Sequence, residues 1–152
     1  MTERPVHVLV LCTGNSARSV MAEVLINALG EGRWRAFSAG SHPAGRVNPL
    51  TLAVLAEHGH AVEGLRSKSW DEFAAPDAPP MDLVVTVCDN AAGEVCPIWP
   101  GHPARVHLGF PDPAAAEGDE AARLAVFRAV YARIEATVRR LVALGPARAA
   151  EA

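Results

Sequence analysis

The segment Cys12-Thr13-Gly14-Asn15-Ser16-Ala17-Arg18-Ser19 concentrates the chain's chemistry. A thiol is followed, after five residues, by an arginine and then a serine. Gly14 and Asn15 tolerate the unusual backbone angles that let successive N–H groups converge on one anion. The Arg18 guanidinium can offer two parallel donors to two oxygens of a tetrahedral oxyanion. If a helix begins at that arginine, its dipole adds positive potential, and the same field predicts a lowered pKa for Cys12, because thiols at helix N-termini fall to roughly 3.5–7.5. The expected site is an oxyanion cradle, Thr13 to Ser19 with Arg18, and a nucleophilic sulfur at its floor. Ser19 is placed to donate a hydrogen bond to the thiolate, and Asn15 to hold the loop's shape. A buried structural cysteine beside a surface arginine is the bland alternative.

The flanking sequence supplies the elements such a cradle needs. Val6 to Leu11 is a β-branched-rich run that reads as a buried strand, and from Ala17 the stripe Val20, Met21, Val24, Leu25 and Ala28 reads as a helix closed by Gly30. Arg33 to Ser38 predicts a second strand. A helix is expected from about Asn48 to His58, with Pro49 suited to its first turn. Leu83 to Val87 is the most strand-like stretch, apolar on both faces. A short strand around Arg105 to Leu108 follows, then a helix from near Asp119 to about Leu144, stopped by Gly145-Pro146. Strands alternating with helices imply one α/β domain over residues 1–145, a parallel sheet with helices on both faces and right-handed crossovers. Residues 146–152 read as a loose tail.

Composition narrows the partners. The chain has 152 residues and a formal net charge of −3, so there is no basic field for a nucleic-acid backbone. No apolar run reaches the ~20 residues of a membrane span, and no secretory leader is evident. A cytoplasmic protein is expected. Lys68 is the only lysine among fourteen cationic residues, a bias that base composition explains. Three cysteines, an odd number, suit reactive thiols in a reducing compartment better than a disulfide framework.

Cys88 follows the strongest strand and so projects from the same sheet edge as Cys12, where open α/β sheets place their sites. Cys96 lies on a polar, Gly-containing segment, Asp89-Asn90-Ala91-Ala92-Gly93-Glu94-Val95. A thiol relay is one use of this set. A core Cys88 with a free loop Cys96 is another, and a zinc site with a histidine a third, although the spacing is not usual for zinc. Asp112, between Pro111 and Pro113, sits on a rigid loop after the last strand and so again at this edge. The six histidines and the tryptophans Trp34, Trp70 and Trp99 show no metal-ligand or stacking pattern, and surface, cap or packing roles suffice for them.

The loop Cys12 to Ser19 resembles the phosphate loop of the low-molecular-weight tyrosine phosphatase superfamily, which includes arsenate reductases coupled to thioredoxin. Ser38-Ala39-Gly40-Ser41, Val47-Asn48-Pro49, Ser67-Lys68-Ser69, Val85-Thr86-Val87-Cys88-Asp89 and Asp112-Pro113-Ala114 are similar, in order, to the reductase branch. The resemblance implies a four-stranded parallel sheet flanked by helices and an arsenate reductase active in arsenic detoxification. It implies attack of Cys12 on arsenate, resolution by Cys88, and transfer of the disulfide to Cys88–Cys96 for reduction by thioredoxin, with glutaredoxin or a small thiol as rival donors. Sulfate and phosphate would compete for the cradle. Asp112 matches the phosphatases' general acid and would assist loss of water. No tightly bound cofactor is implied. Some relatives hold a structural potassium ion through oxygens that Asn15, Glu23 and Ser38 match, while a fourth, acidic ligand around Ser67 to Asp71 does not align. The alternatives are a low-molecular-weight protein tyrosine phosphatase and a non-catalytic arsenic or redox sensor. Against the phosphatase, Ala114 to Ala116 replace the tyrosines that usually flank the aspartate, and Ala17 replaces a frequent second cysteine.

Overall fold

Four parallel strands in the order β2-β1-β3-β4 form the centre of the computed structural model, which describes residues 4–88 and 103–152. β1 (Val6–Cys12) pairs with β2 (Trp34–Gly40) on one side and β3 (Leu83–Thr86) on the other, and β3 pairs with the edge strand β4 (Ala104–His107). Val8, Leu9, Val10 and Leu11 are all fully buried, as are Leu83 and Val84. Side chains alternate across a strand, so such runs are buried only where both faces of the sheet are covered. The single α/β domain expected from the sequence is the one observed.

Helix α1 (Arg18–Leu29) and the long helix α3 (Glu120–Leu144) pack together, and α2 (Pro49–Glu57) packs against α3. Helix α3 buries Phe127, Val130, Tyr131, Ile134, Val138 and Leu141, a stripe at helical spacing. Asp119 caps its first turn by accepting from the Ala122 N–H at 2.8 Å, and Gly145 ends it at φ +86°. Residues 146–152, expected to be loose, instead form a 3-10 helix over Pro146–Glu151. Ala149 is buried there, and the Arg140 Nε donates to the carbonyl of Ala152 at 2.9 Å. Pro146 starts that turn and small alanines let it lie against α3, which composition alone did not reveal.

Parallel pairing brings every strand's carboxyl end to one edge. Cys12 pairs with Gly40 at the last position of the β1–β2 ladder, and Leu11 with Thr86 at the last of β1–β3. Cys12, Gly40 and Cys88, which follows β3, thereby reach the same edge. Among the described residues, no helix is long and apolar enough to cross a membrane.

Candidate active site

The loop from Cys12 to Arg18 is held by its carbonyls. Thr13 O accepts from the N–H of His42, Gly14 O from the N–H of Ala44 and the hydroxyl of Ser67, and Ser16 O from the N–H of Asn48 and the hydroxyl of Thr51, all at 2.9–3.0 Å. None of the hydrogen bonds among the described residues uses the N–H of Asn15, Ser16, Ala17 or Arg18. Asn15 makes this division feasible by adopting φ +47°, which turns the chain so that carbonyls and N–H groups separate. Gly40 matters as well. A Cβ there would lie 2.3 Å from Thr13 O and 2.8 Å from Cys12 O, so only glycine lets the end of β2 come this close to the loop.

Asn15 is fully buried and its side chain is completely engaged. Its Oδ1 accepts from the Lys68 N–H at 2.9 Å, and its Nδ2 donates to Ser19 Oγ at 2.8 Å and Ser38 Oγ at 3.0 Å. These three bonds tie the Asn15 turn to the end of β2, to α1 and to the segment around Lys68. Ser19 is equally buried, with Asn15 as its hydrogen-bond partner.

A cavity of about 170 Å³ opens over this loop, lined by Cys12, Thr13–Arg18, Asp112 and Ala114. Helix α1 begins at its edge with Ala17 as N-cap and no side-chain cap, whereas Asn48 and Asp119 cap α2 and α3. An exposed set of helix N–H groups at a small cavity is an anion site in waiting. Arg18 strengthens it. Its Nη1 donates to Phe110 O at 3.1 Å and its Nη2 lies 3.7 Å from Asp112 Oδ2, while its Nε is buried with no partner, the one such side-chain nitrogen or oxygen among the described residues. A buried guanidinium N–H left unmatched costs free energy until an acceptor arrives.

Asp112 faces the cavity from a half-exposed position. Its Oδ1 caps the turn Pro113–Ala115 by accepting from the Ala114 N–H at 2.9 Å, leaving Oδ2 toward Arg18. The turn fixes the carboxylate, and the proline before and after it stiffens the approach.

Cys12 and Cys88 are both buried, and both carry a thiol rather than a disulfide. The Thr13 N–H donates to Cys88 Sγ at 3.3 Å, and Thr13 Oγ1 lies 3.6 Å from the same sulfur. The lowered pKa expected for Cys12 is not what this arrangement gives. Its hydrogen bond with the Cys88 side chain, and then burial, push the Cys12 thiol up, and these outweigh the downward pull of Arg18 and of the Gly14 N–H. Arg18 and the Gly14 N–H pull toward the thiolate, but a neighbouring sulfur competes for the same proton. Cys96 and Trp99 lie outside the described residues.

The oxygens matched to a potassium site are taken by protein donors. Ser38 Oγ donates to Glu23 Oε1, Asn15 turns its amide N–H toward Ser38, and Lys68 Nζ lies 3.7 Å from Glu23 Oε1. An amide N–H and an ammonium facing this cluster repel a cation, so these residues do not fit one. Sequence reasoning missed Thr51, Ser67 and Lys68 as supports of the loop. The available signal was the polar triplet Ser67-Lys68-Ser69 carrying the chain's single lysine.

Fold and site together define a cysteine-based oxyanion-loop protein of the α/β class. The low molecular weight phosphotyrosine protein phosphatase family matches residues 7–149, and the chain belongs to that family. Its similarity runs to the arsenate reductases within it. An arsenate reductase of Halalkalibacterium halodurans is 40% identical over 135 residues, spanning 89% of this chain and 94% of the relative. The crystal structure of an arsenate reductase from Archaeoglobus fulgidus superposes with a TM-score of 0.69 at 34% identity, covering 90% of this chain and 98% of that one. An arsenate reductase solved in a phosphate-binding state gives 0.73 at 29% identity, covering 91% and 98%.

Proposed function

We propose that the chain is an arsenate reductase of the disulfide-relay type, working in arsenic detoxification in the reducing cytoplasm. The observation that carries this reading is the second thiol at the cradle, Cys88 against Thr13 and Cys12, because phosphate ester hydrolysis has no use for it. The relatives' arsenate reductase activity supports the same substrate.

The chemistry follows from the groups in place. Arsenate enters as a dianion and binds to the loop N–H groups and Arg18. A thiol whose pKa is raised is poorly ionised on its own, and the incoming dianion supplies the base that takes its proton. Cys12 sulfur then bonds to arsenic, and one arsenate oxygen departs as water with Asp112 assisting its protonation. Cys88 thiolate attacks Cys12 sulfur next. The new S–S bond forms as the S–As bond breaks, and its electron pair passes to arsenic, which leaves as arsenite. Cys96 attacks Cys88, frees Cys12, and leaves a Cys88–Cys96 disulfide for a dithiol protein of the thioredoxin class to reduce. Sulfate and phosphate fit the same cradle and act as competitors.

A protein tyrosine phosphatase is the alternative. Among the described residues no aromatic side chain lines the cavity, Ala114 stands beside Asp112, and Tyr131 is buried on α3 with its hydroxyl 2.8 Å from His60 Nε2. Among the described residues an aryl phosphate finds no wall to stack on. The deciding experiment follows NADPH oxidation with thioredoxin and thioredoxin reductase, with and without arsenate, on wild type and on Cys12→Ser, Cys88→Ser and Cys96→Ser. Arsenate-dependent turnover lost in all three variants establishes the relay and its donor. Turnover that survives in Cys96→Ser points to a small thiol or glutaredoxin, and hydrolysis of an aryl phosphate without arsenate reduction overturns the reading.

A further inference from the structure

We propose that Lys68 is the built-in counter-cation of the oxyanion loop, a positioning residue whose ammonium does for the Asn15 turn what a bound monovalent cation would do. This rests on the functional reading above only in taking the loop as an oxyanion cradle.

Lys68 grips Asn15 by two routes. Its backbone N–H donates directly to Asn15 Oδ1. Its side chain, only 10% exposed, reaches back so that Nζ donates to Arg66 O at 3.3 Å and stands 3.7 Å from Glu23 Oε1. Glu23 accepts from Ser38 Oγ, and Ser38 Oγ in turn accepts from Asn15 Nδ2. Every bond in this chain has one permitted direction. An amide N–H on the Lys68 backbone can only donate, which fixes Asn15 Oδ1 there and its NH2 group toward Ser38 and Ser19. Ser38 therefore accepts a hydrogen bond from Asn15 and donates its own to the Glu23 carboxylate.

That carboxylate is largely buried, 17% exposed, close behind a loop built to attract anions. An unneutralised negative charge at this depth would be costly and would oppose the anion the loop awaits. Lys68 supplies the compensation. Burial draws the Lys68 pKa below the ordinary lysine value, and the Glu23 carboxylate beside it pulls the other way. With the donors already in place, an inorganic cation has neither a free oxygen cluster nor a charge deficit to satisfy.

The test compares wild type with Lys68→Met and Lys68→Arg in potassium chloride and in tetramethylammonium chloride of equal ionic strength. Phosphate affinity is read by calorimetry and melting temperature by scanning calorimetry. Wild type is expected to show the same melting temperature and phosphate affinity in both salts. Lys68→Met is expected to melt lower and bind phosphate roughly tenfold more weakly, the low end of the cost of losing a supporting contact. Potassium should restore part of both, and Lys68→Arg should stay near wild type. A wild type whose melting temperature or affinity rises with potassium overturns the proposal, as does a Lys68→Met protein indistinguishable from wild type. Should Lys68→Met fail to fold, the wild-type salt comparison and Lys68→Arg still decide it. If wild type binds no phosphate in either salt, the oxyanion reading falls, and the melting temperatures judge the Lys68 clamp separately.

Discussion

Cys88 Sγ accepts a hydrogen bond from the backbone N–H of Thr13 at 3.3 Å, so the second cysteine is tied to the residue immediately after the first. The contact exists because β1 and β3 are parallel neighbours whose carboxyl ends run out together. It places the Cys88 sulfur beside Cys12, where the proposed relay needs it. Under the proposed relay, Cys88→Ser should still bind arsenate and phosphate but fail to release arsenite over repeated turnovers. Mass analysis after a single exposure to arsenate, followed by acid quench, should find a Cys12–Cys88 disulfide in Cys96→Ser and none in Cys88→Ser. A disulfide-free Cys96→Ser protein that has produced arsenite would refute this order of steps.

The shared proton between these thiols has a consequence for pH. The largest cause raising Cys12 is its hydrogen bond with Cys88, so Cys88→Ala should let Cys12 ionise at lower pH, read by the ultraviolet absorbance of the thiolate. Stability should respond in the matching sense. The folded state holds the Cys12 proton more tightly than the unfolded chain, so this contribution is complete below the ordinary thiol value of roughly 8.5 and is lost as pH rises beyond it. Denaturant melts at increasing alkaline pH should therefore show a steeper loss of stability in wild type than in Cys12→Ser. Equal slopes would mean that Cys12 is not the titrating group.

Much of this site could be read from sequence because local chemistry determines it. The run Val8 to Leu11 demands burial on both faces, Asn48-Pro49 signals a capped helix start, and Asn15 beside Gly14 signals a left-handed turn; all are observed. What sequence could not convey is the set of contacts made by residues distant in the chain. The triplet Ser67-Lys68-Ser69 stands out in sequence, but its role and that of Thr51 exist only once α2 and the segment before Trp70 are folded over the loop. The pKa of Cys12 turns on a distance of the same kind. Sequence brings Cys88 to the same sheet edge, but not to hydrogen-bonding reach of the Cys12 thiol, which is what raises its pKa.

Gly40 offers a test of the loop's geometry separate from its chemistry. Gly40→Ala would drive a methyl group against the carbonyls of Thr13 and Cys12, which are fixed backbone and cannot swing aside. The expected cost is about 1–3 kcal/mol of stability, as for other forced overpacking. Oxyanion affinity should fall as well, because the displaced carbonyls belong to Cys12 and Thr13 of the loop itself. Phosphate calorimetry on the folded variant measures the second effect independently of the first. Unchanged affinity in a destabilised protein would show that the loop tolerates this displacement.

Asp112 should separate binding from turnover. Its carboxylate lies 3.7 Å from Arg18 Nη2 at the mouth of the cavity, where it both occupies the guanidinium and repels an incoming anion. Asp112→Asn keeps the Ala114 N–H cap, since an amide oxygen accepts as the carboxylate does, and removes the charge. Phosphate and arsenate should therefore bind more tightly. If Asp112 also protonates the departing oxygen, arsenate turnover should fall roughly 10²-fold or more, the range for loss of a positioned acid. The combination of tighter binding with slower turnover is the signature sought, obtained from phosphate calorimetry and arsenite release on one preparation. A structural aspartate predicts instead that both quantities stay near wild type, and a purely electrostatic one that binding tightens with turnover unaffected.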